Sequence, residues 1–511
     1  MKKAFEMFSK VFLSCFGIII LWIIATGILE YNKVIFTFNP LLLILGIIIY
    51  ILLVVFFYNK CLKKLEKIKG IEYVGFAAFT ILAICSGLYF KLNPTWDMGT
   101  TYGIAKEYVE CGTYSNTFYL SQFPNNVMMT SIDMVLLKIS SLFGINDSLT
   151  VITIVSALVV SLSIILSFYT MKRIYTRRKA LAFLCIALFT TPLYLYAAEY
   201  YTDVFSMIIP VILLNIWLSV RNCEINFIKR FGLDILFSII LFIGIDLKLT
   251  SAFIFVAIIF YEVLQVNIKN LLKNIAIIIP ITAILIVIFN LTVVKQLAKP
   301  EERLINEVPK EHWIMMGMNG VGNFSYEEYA YTNSYKTFDE KKEADKRKII
   351  ERLKERDLNT HIKNITRKLG FAWHDGTYWA PDVLRRSPVE TRFLHKFVLE
   401  SGEYNVYYKY IPQTMHFAML IFIIFNIIRI IKEKDYESKD IITLTTMFGV
   451  MLFLILWENR SRYLVNILPL MIMSQINGID EFSKYLKSSI KECKFNSKKE
   501  LLPSDCERKA E

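Results

Sequence analysis

Apolar residues in this chain fall in long blocks rather than at alternating positions. Phe12–Ile28 and Leu41–Tyr58 are nearly unbroken apolar runs. Each is close to the roughly 20 residues that carry an α-helix across a bilayer. Read from end to end, the pattern predicts twelve spanning helices, at about 11–29, 40–58, 71–90, 149–170, 181–198, 203–220, 231–247, 250–266, 274–294, 414–431, 440–457 and 463–478. The expected fold class is all-α: a polytopic membrane bundle of helices. Two stretches interrupt it. Residues 91–148 are mixed in character, and 295–413 is a long polar segment, large enough for a small domain.

Composition sharpens this picture. Of 511 residues, 55% are hydrophobic and 20% charged, against about 45–50% and 25% in a soluble domain. A soluble enzyme, a disordered chain and a nucleic-acid-binding protein are excluded on that ground. The formal charge of +13 is then a matter of position. With a cytoplasmic N-terminus, the inside segments are 1–10, 59–70, 171–180, 221–230, 267–273, 429–439 and 479–511. They hold 30 of the 58 Lys and Arg residues, the short opposite loops hold seven, and 295–413 holds 21. Long translocated segments are largely exempt from the positive-inside rule, so 30 against seven is the informative comparison. It predicts a multi-pass protein of the plasma membrane with both termini cytoplasmic. Met-Lys-Lys before an apolar block, without a small-residue cleavage site, reads as a retained first span.

Charge also decides Val127–Phe143, which is apolar enough to look like a span. Counting it as one would place Lys172, Arg173, Arg177, Arg178 and Lys179 outside. Thr130, Asp133, Ser140 and Ser141 share one side of a helical wheel, the pattern of a helix lying at the interface. The expected organisation is an N-terminal membrane hairpin (1–70), a membrane core (71–294) with an outer loop (91–148), an extracytoplasmic domain (295–413), C-terminal spans (414–478) and a basic cytoplasmic tail (479–511). In the outer domain, Lys336–Leu358 reads as a charged helix with a solvated face. The eight cysteines, at 15, 61, 85, 111, 185, 223, 493 and 506, form no C-x-x-C pair. Only Cys111 falls outside, so packing rather than a disulfide must hold the outer domain together. The histidines, all between 312 and 416, show no metal-binding spacing, and no Asp-x-Asp lies near Asp97. No metal and no cofactor is expected.

Ionisable residues at span ends carry the chemistry, because charge in hydrocarbon is costly. Several fall on the outer side. Trp96 and Asp97 follow the third span. Glu199 and Asp203 flank Tyr200–Thr202. Asp246 and Lys248 make the turn between spans seven and eight. Glu458, Arg460, Arg462 and Tyr463 precede the last span. This set suits transfer of a sugar from a polyprenyl-phosphate donor. The phosphate leaving group needs cations more than protons, and Lys248, Arg460 and Arg462 supply them. The acceptor hydroxyl needs a base, for which Asp97 is the candidate. Trp96, Asp203, Glu458 and Tyr463 complete the expected substrate contacts. Two other readings compete: a polysaccharide polymerase, with its essential residues in the long outer segment, and a lipid or polysaccharide flippase. A transporter would place its ionisable residues near span centres, at the midplane.

In chain order, the sequence carries Trp96-Asp97, the helix-like Tyr102–Tyr108, Tyr119–Pro124, Thr202-Asp203, Leu247–Thr250, Arg460–Tyr463 and Pro469. In this it resembles a bacterial member of the GT-C glycosyltransferases. That polytopic class includes dolichyl-phosphate-mannose protein mannosyltransferases and the aminoarabinose transferase of lipid A. The resemblance covers the chain from about residue 71 onward, and Glu311–Gly317 is similar to a stretch in Firmicutes members of the class. It implies inverting transfer from a polyprenyl-phosphate-linked sugar to a glycan, glycolipid or protein acceptor. Asp97 would then be the base, and basic span ends would meet the lipid phosphate. The chain departs from the pattern in three places. Residues 1–70 are an added pair of spans, the metal-binding acidic pair of oligosaccharyltransferases is unmatched, and the large outer segment lies between spans rather than at the C-terminus.

Overall fold

The structure, a computed structural model, describes residues 2–29, 38–222, 226–265 and 268–500. Lys33, Cys223, Cys506 and the end of the basic tail at 501–511 lie outside these residues. Among the described residues the secondary structure is helical apart from one isolated antiparallel bridge, Leu92 with Pro388.

The first part of the chain forms α1 (Lys2–Leu29), α2 (Pro40–Phe56) and α3 (Ile71–Tyr89). The loop that follows forms α4 (Trp96–Cys111), α5 (Thr117–Gln122) and α6 (Val127–Leu142). Next come α7 (Ser148–Ile174), α8 (Arg177–Phe189), the short α9 (Thr202–Phe205), α10 (Ile208–Asn222), α11 (Phe227–Leu247), α12 (Phe253–Leu264) and α13 (Ile268–Phe289). The long polar segment contributes α14 (Pro300–Asn306), α15 (Lys310–Gly317), α16 (Tyr326–Asn333), α17 (Phe338–Glu355) and α18 (Leu358–Trp373). The chain closes with α19 (Asn405–Glu433), α20 (Asp440–Leu456) and α21 (Leu468–Glu500).

Among the described residues, seven helical stretches are long and apolar enough to cross a bilayer: Phe5–Leu29, Pro40–Leu65, Ile71–Tyr89, Ser148–Ile174, Thr202–Arg221, Leu271–Leu297 and Asn405–Glu433. Leu249–Leu264 and Asp440–Leu456 are apolar but shorter. The other three expected spans differ for local reasons. The 181–198 stretch breaks at Thr190, ahead of Pro192 at the start of the next turn. Helix α11 carries Arg230, Asp234 and Asp246. The 463–478 stretch begins as a 3₁₀ turn over Ser461–Ile467 before α21.

Apolar side chains that face outward include those of α2 (Leu41, Leu52, Leu53, Phe56) and α13 (Ile284, Val287, Ile288). Such faces are stable against lipid, not water. The bundle core is built around α19, which packs closely on α21 and also receives α1 and α2. A Cβ on Gly478 would overlap the Phe422 carbonyl, so glycine is what allows α19 and α21 to approach so closely. Helices α1 and α2 meet α19 more extensively than they meet each other, so the N-terminal pair is part of the bundle wall.

Helix α6 is oriented by its polar stripe. Thr130, Asp133 and Ser140 are buried against the protein, while Val135, Ile139 and Leu142 face outward. Its apolar side is thus the free one, as suits a helix resting at the lipid interface.

The two ends of the bundle differ in chemistry. At one end, Arg177 pairs with Glu72 at 2.5 Å. There too Arg429 and Tyr175 both bind Asp440, at 2.9 and 2.6 Å. Helix α3 runs from this basic end to the other, about 28 Å at 1.5 Å per residue.

At that far end sits the long segment. Thr337 and Glu340 form a reciprocal capping box that starts α17. One face of α17 is solvated, with pairs such as Lys348–Glu351 at 2.6 Å. The other face buries Lys341, Ala344 and Asp345. The segment is tied to the bundle by Lys368, whose ammonium donates to the carbonyls of Gly317 (2.6 Å) and Trp457 (2.8 Å).

Candidate functional site

Beyond the end of α3 the chain turns sharply. A Cβ on Gly99 would collide with the Pro94 backbone. Trp96 begins α4 with φ +46°. Among the described residues only four non-glycine positions have positive φ: Trp96, Tyr378, Trp379 and Lys434. Trp96 and Trp379 each carry an arginine of one site, with Tyr378 beside Trp379, and such strain persists only where the surroundings over-determine it.

The isolated bridge is the first determinant. Asn93 N–H donates to the Ser387 carbonyl at 2.8 Å, and Val389 N–H donates to that of Lys91 at 2.9 Å. These bonds bring Arg386 over the Trp96 ring, 4.4 Å from its centroid. Arg462 meets the same ring at 5.1 Å. The indole therefore holds two guanidinium groups on its π-system. Tyr201 packs edge-on against it at 5.3 Å.

Asp375 is the second determinant. It accepts from Thr377 and Trp379 backbone N–H groups, both at 2.8 Å, and from the Ser461 hydroxyl at 2.6 Å. Together with the Tyr378 hydroxyl against His416 Nδ1 at 2.8 Å, this holds the left-handed Tyr378-Trp379 pair in place. The Trp379 ring then lies under Arg460, 5.4 Å from its guanidinium carbon.

Asp97, in the first turn of α4, accepts a hydrogen bond from the Tyr119 hydroxyl at 2.9 Å. Tyr119 in turn accepts from Asn126 at 2.8 Å, and Asn126 accepts from Tyr201 at 2.8 Å. Asp97 caps no backbone N–H of its own helix. Lys91, near it in sequence, binds Asp147 at 3.2 Å and Thr150 at 2.7 Å instead. Asp97 is thus held by a chain of neutral hydroxyl and amide groups.

Asp203 is fully buried and pairs with Lys248; Arg462 Nε lies 3.9 Å from its other oxygen. The Lys248 side chain is only 14% exposed, so it turns inward rather than snorkelling to headgroups. Its ammonium also lies 4.3 Å from the Tyr463 ring centroid, and Arg462 meets that ring at 5.3 Å. Burial lowers the Lys248 pKa, and the Asp203 charge opposes this.

Two further carboxyls adjoin the cluster. Burial, reinforced by the Asp203 charge, pushes Glu199 up to about 8, so it is protonated at neutral pH. Burial also raises Glu458, against the pull of Arg460 and Arg462. Four cations, Lys248, Arg386, Arg460 and Arg462, therefore face carboxyls of which one is neutral. Nε of Arg460, Nε and Nη1 of Arg462 and Nε1 of Trp96 are buried without a hydrogen-bond acceptor in the protein. Buried donors of this kind are rare, and each calls for an explanation.

The family whose description reads "Conserved hypothetical integral membrane protein" matches residues 2–480. This chain belongs to that family. No curated protein matches it. Among solved structures it is similar to ArnT from Cupriavidus metallidurans in the apo state, at 14% identity over 80% of this chain and 77% of that one, with a TM-score of 0.35. Membership of an integral membrane family accounts for the apolar side chains that α2, α6 and α13 turn outward.

The structure places Trp96, Asp97, Asp203, Lys248, Glu458, Arg460, Arg462 and Tyr463 around one site. It leaves Asp246 aside, with no hydrogen bond to this cluster among the described residues. Four participants were not assigned roles from sequence. Tyr119 and Tyr201 sit in stretches already notable there, but their hydroxyls are assigned only by geometry. Trp379 belongs to the aromatic stretch Trp373–Trp379. Arg386 had no local signal at all, being one of 21 basic residues in the long segment.

Proposed function

We propose that this protein is an inverting glycosyltransferase. It moves a sugar from a polyprenyl-phosphate donor to a cell-envelope acceptor on the outer face of the plasma membrane. The supporting observation is the set of buried, unpaired guanidinium N–H groups on Arg460, which lies over Trp379, and on Arg462, which lies over Trp96, one residue from Asp97. Arg presents a planar fork that matches phosphate oxygens. In this reading the phosphate of the donor meets Arg386, Arg460 and Arg462, with Lys248 behind them. The acceptor hydroxyl approaches from the Asp97 side.

The acceptor oxygen attacks the anomeric carbon, and its proton passes to the Asp97 carboxylate. The bond from that carbon to the phosphate oxygen breaks, and the electron pair leaves with the phosphate. Fixed cations in a water-poor site stabilise the developing charge without reorganising. A protonated Glu199 adds no negative charge where the phosphate must bind. Base and cations on opposite sides of the reacting carbon give inversion. The topology that fits has the basic end of the bundle in the cytoplasm, with 91–148 and 295–413 outside.

The test is transfer from a polyprenyl-phosphate sugar donor by the purified protein in detergent. Asp97→Asn abolishes transfer on this reading, and wild-type rates in that variant would refute the assignment.

A further inference from the structure

A cavity of about 590 Å³ opens between α5 and the long polar segment. Phe118 and Gln122 of α5 form one side, and Asn306, Tyr329, Asn333 and Lys341 the other. Its polar groups form a fixed network. The Tyr329 hydroxyl donates to Gln122 at 2.9 Å, and the Gln122 amide donates to Asn333 at 3.3 Å. Lys341 donates to the Asn333 side chain and the Asn306 carbonyl, both at 3.0 Å.

Three features define what this lining recognises. Phe118, 53% exposed, and the Tyr329 ring offer flat apolar surfaces. Amides and hydroxyls alternate with them, supplying donors and acceptors side by side. That combination suits a sugar ring, with its C–H face and rim of hydroxyls. The third feature is charge. Lys341 is buried, yet its hydrogen-bond acceptors are both neutral, and neither it nor Lys336 on the same rim has an ion-pair partner among the described residues. Asp345, one turn along α17, is the carboxyl that acts on Lys341, but the ammonium hydrogen-bonds only to neutral groups, and together with Lys336 on the rim it favours an anionic ligand.

The cavity also has a defined relation to the site. Phe118 lines it, while the next residue, Tyr119, points the other way and binds Asp97. One short helix therefore separates the two.

We propose that this cavity binds a glycan strand bearing an anionic group, and that it seats the acceptor while its terminal hydroxyl reaches Asp97. The acceptor role rests on the glycosyl-transfer reading; the binding does not. The experiment uses the full chain in detergent, with hexagalacturonate as the anionic probe and maltohexaose as the neutral one, followed by calorimetry. Saturable binding of hexagalacturonate is expected, at least tenfold tighter than maltohexaose. Phe118→Ala and Lys336→Ala, both at exposed positions, each weaken it about tenfold. Asp97→Asn leaves it unchanged. No saturable binding of hexagalacturonate, or equal binding by wild type and Phe118→Ala, overturns the proposal. If Asp97→Asn transfers sugar normally while Phe118→Ala still loses the probe, the cavity assignment stands and the reaction assignment falls.

Discussion

The guanidinium of Arg386 rests 4.4 Å above the ring of Trp96, although 290 residues separate them in the chain. If Arg386 binds the donor phosphate, Arg386→Ala removes one charge-assisted contact, about 1.5–3 kcal/mol. The apparent KM for the polyprenyl-phosphate donor then rises roughly tenfold to a hundredfold. Arg386→Lys recovers little, because an ammonium has no planar fork to lay on the indole. Donor titrations at saturating acceptor read this directly.

Asp97 and Tyr119 separate chemistry from positioning. If Asp97 is the base, Asp97→Asn keeps the shape and loses it, so kcat falls about 10²- to 10⁴-fold while donor KM stays within about twofold. Tyr119→Phe removes only the hydrogen bond that orients the carboxylate and lowers kcat less.

Asp203 and Lys248 form a buried pair, and breaking one side of such a pair destabilises by about 3–5 kcal/mol. Lys248→Met and Asp203→Leu each lower the thermal midpoint. The double variant recovers much of the loss, because no uncompensated charge stays buried. Transfer activity does not return with it if Lys248 also serves the phosphate. Thermal unfolding and activity of the three variants form a complete cycle.

Asp345 gives a pH test away from the site. Burial pushes its carboxyl up to about 7, against the hydrogen bond from Thr332 at 2.8 Å. A carboxyl whose folded pKa lies above its unfolded value stabilises the fold below the unfolded pKa. That contribution is lost as pH rises through the folded pKa. Wild-type stability should therefore decline between about pH 4 and pH 7. Asp345→Asn lacks this part of the decline, as thermal melts across that range will show.

The membrane bundle was legible in the sequence because a bilayer demands long apolar runs, and such runs survive without any tertiary information. The charged helix expected at Lys336–Leu358, observed at Phe338–Glu355, was legible through its Glu/Lys pairs at helical spacing; its capping box was not. Helix breaks were not. Whether 181–198 stays continuous depends on how the chain packs near Thr190 and Pro192. The site divides in the same way. Ionisable residues at span ends stand out because they are expensive there, which is how Asp97, Asp203, Lys248 and Arg462 were found together. Arg386 sits among many solvated Lys and Arg residues, and only the Leu92–Pro388 bridge distinguishes it. Glu199 was visible as a residue, but its neutrality follows from burial beside Asp203.

The Leu92–Pro388 bridge also sets an order of events during synthesis. Ribosomes deliver about 5–20 residues per second, so residue 388 follows residue 92 by roughly 15–60 s. For that interval Trp96 waits at the membrane surface without either of its guanidinium partners. Arg462 emerges later still, after α19 and α20. On the proposed reading, a nascent chain stopped before that point contains Asp97, Lys248 and Arg386 but lacks the second guanidinium on the Trp96 ring. On that reading competence arrives with the last helices, and ending the chain before Arg460 silences transfer as completely as removing Asp97.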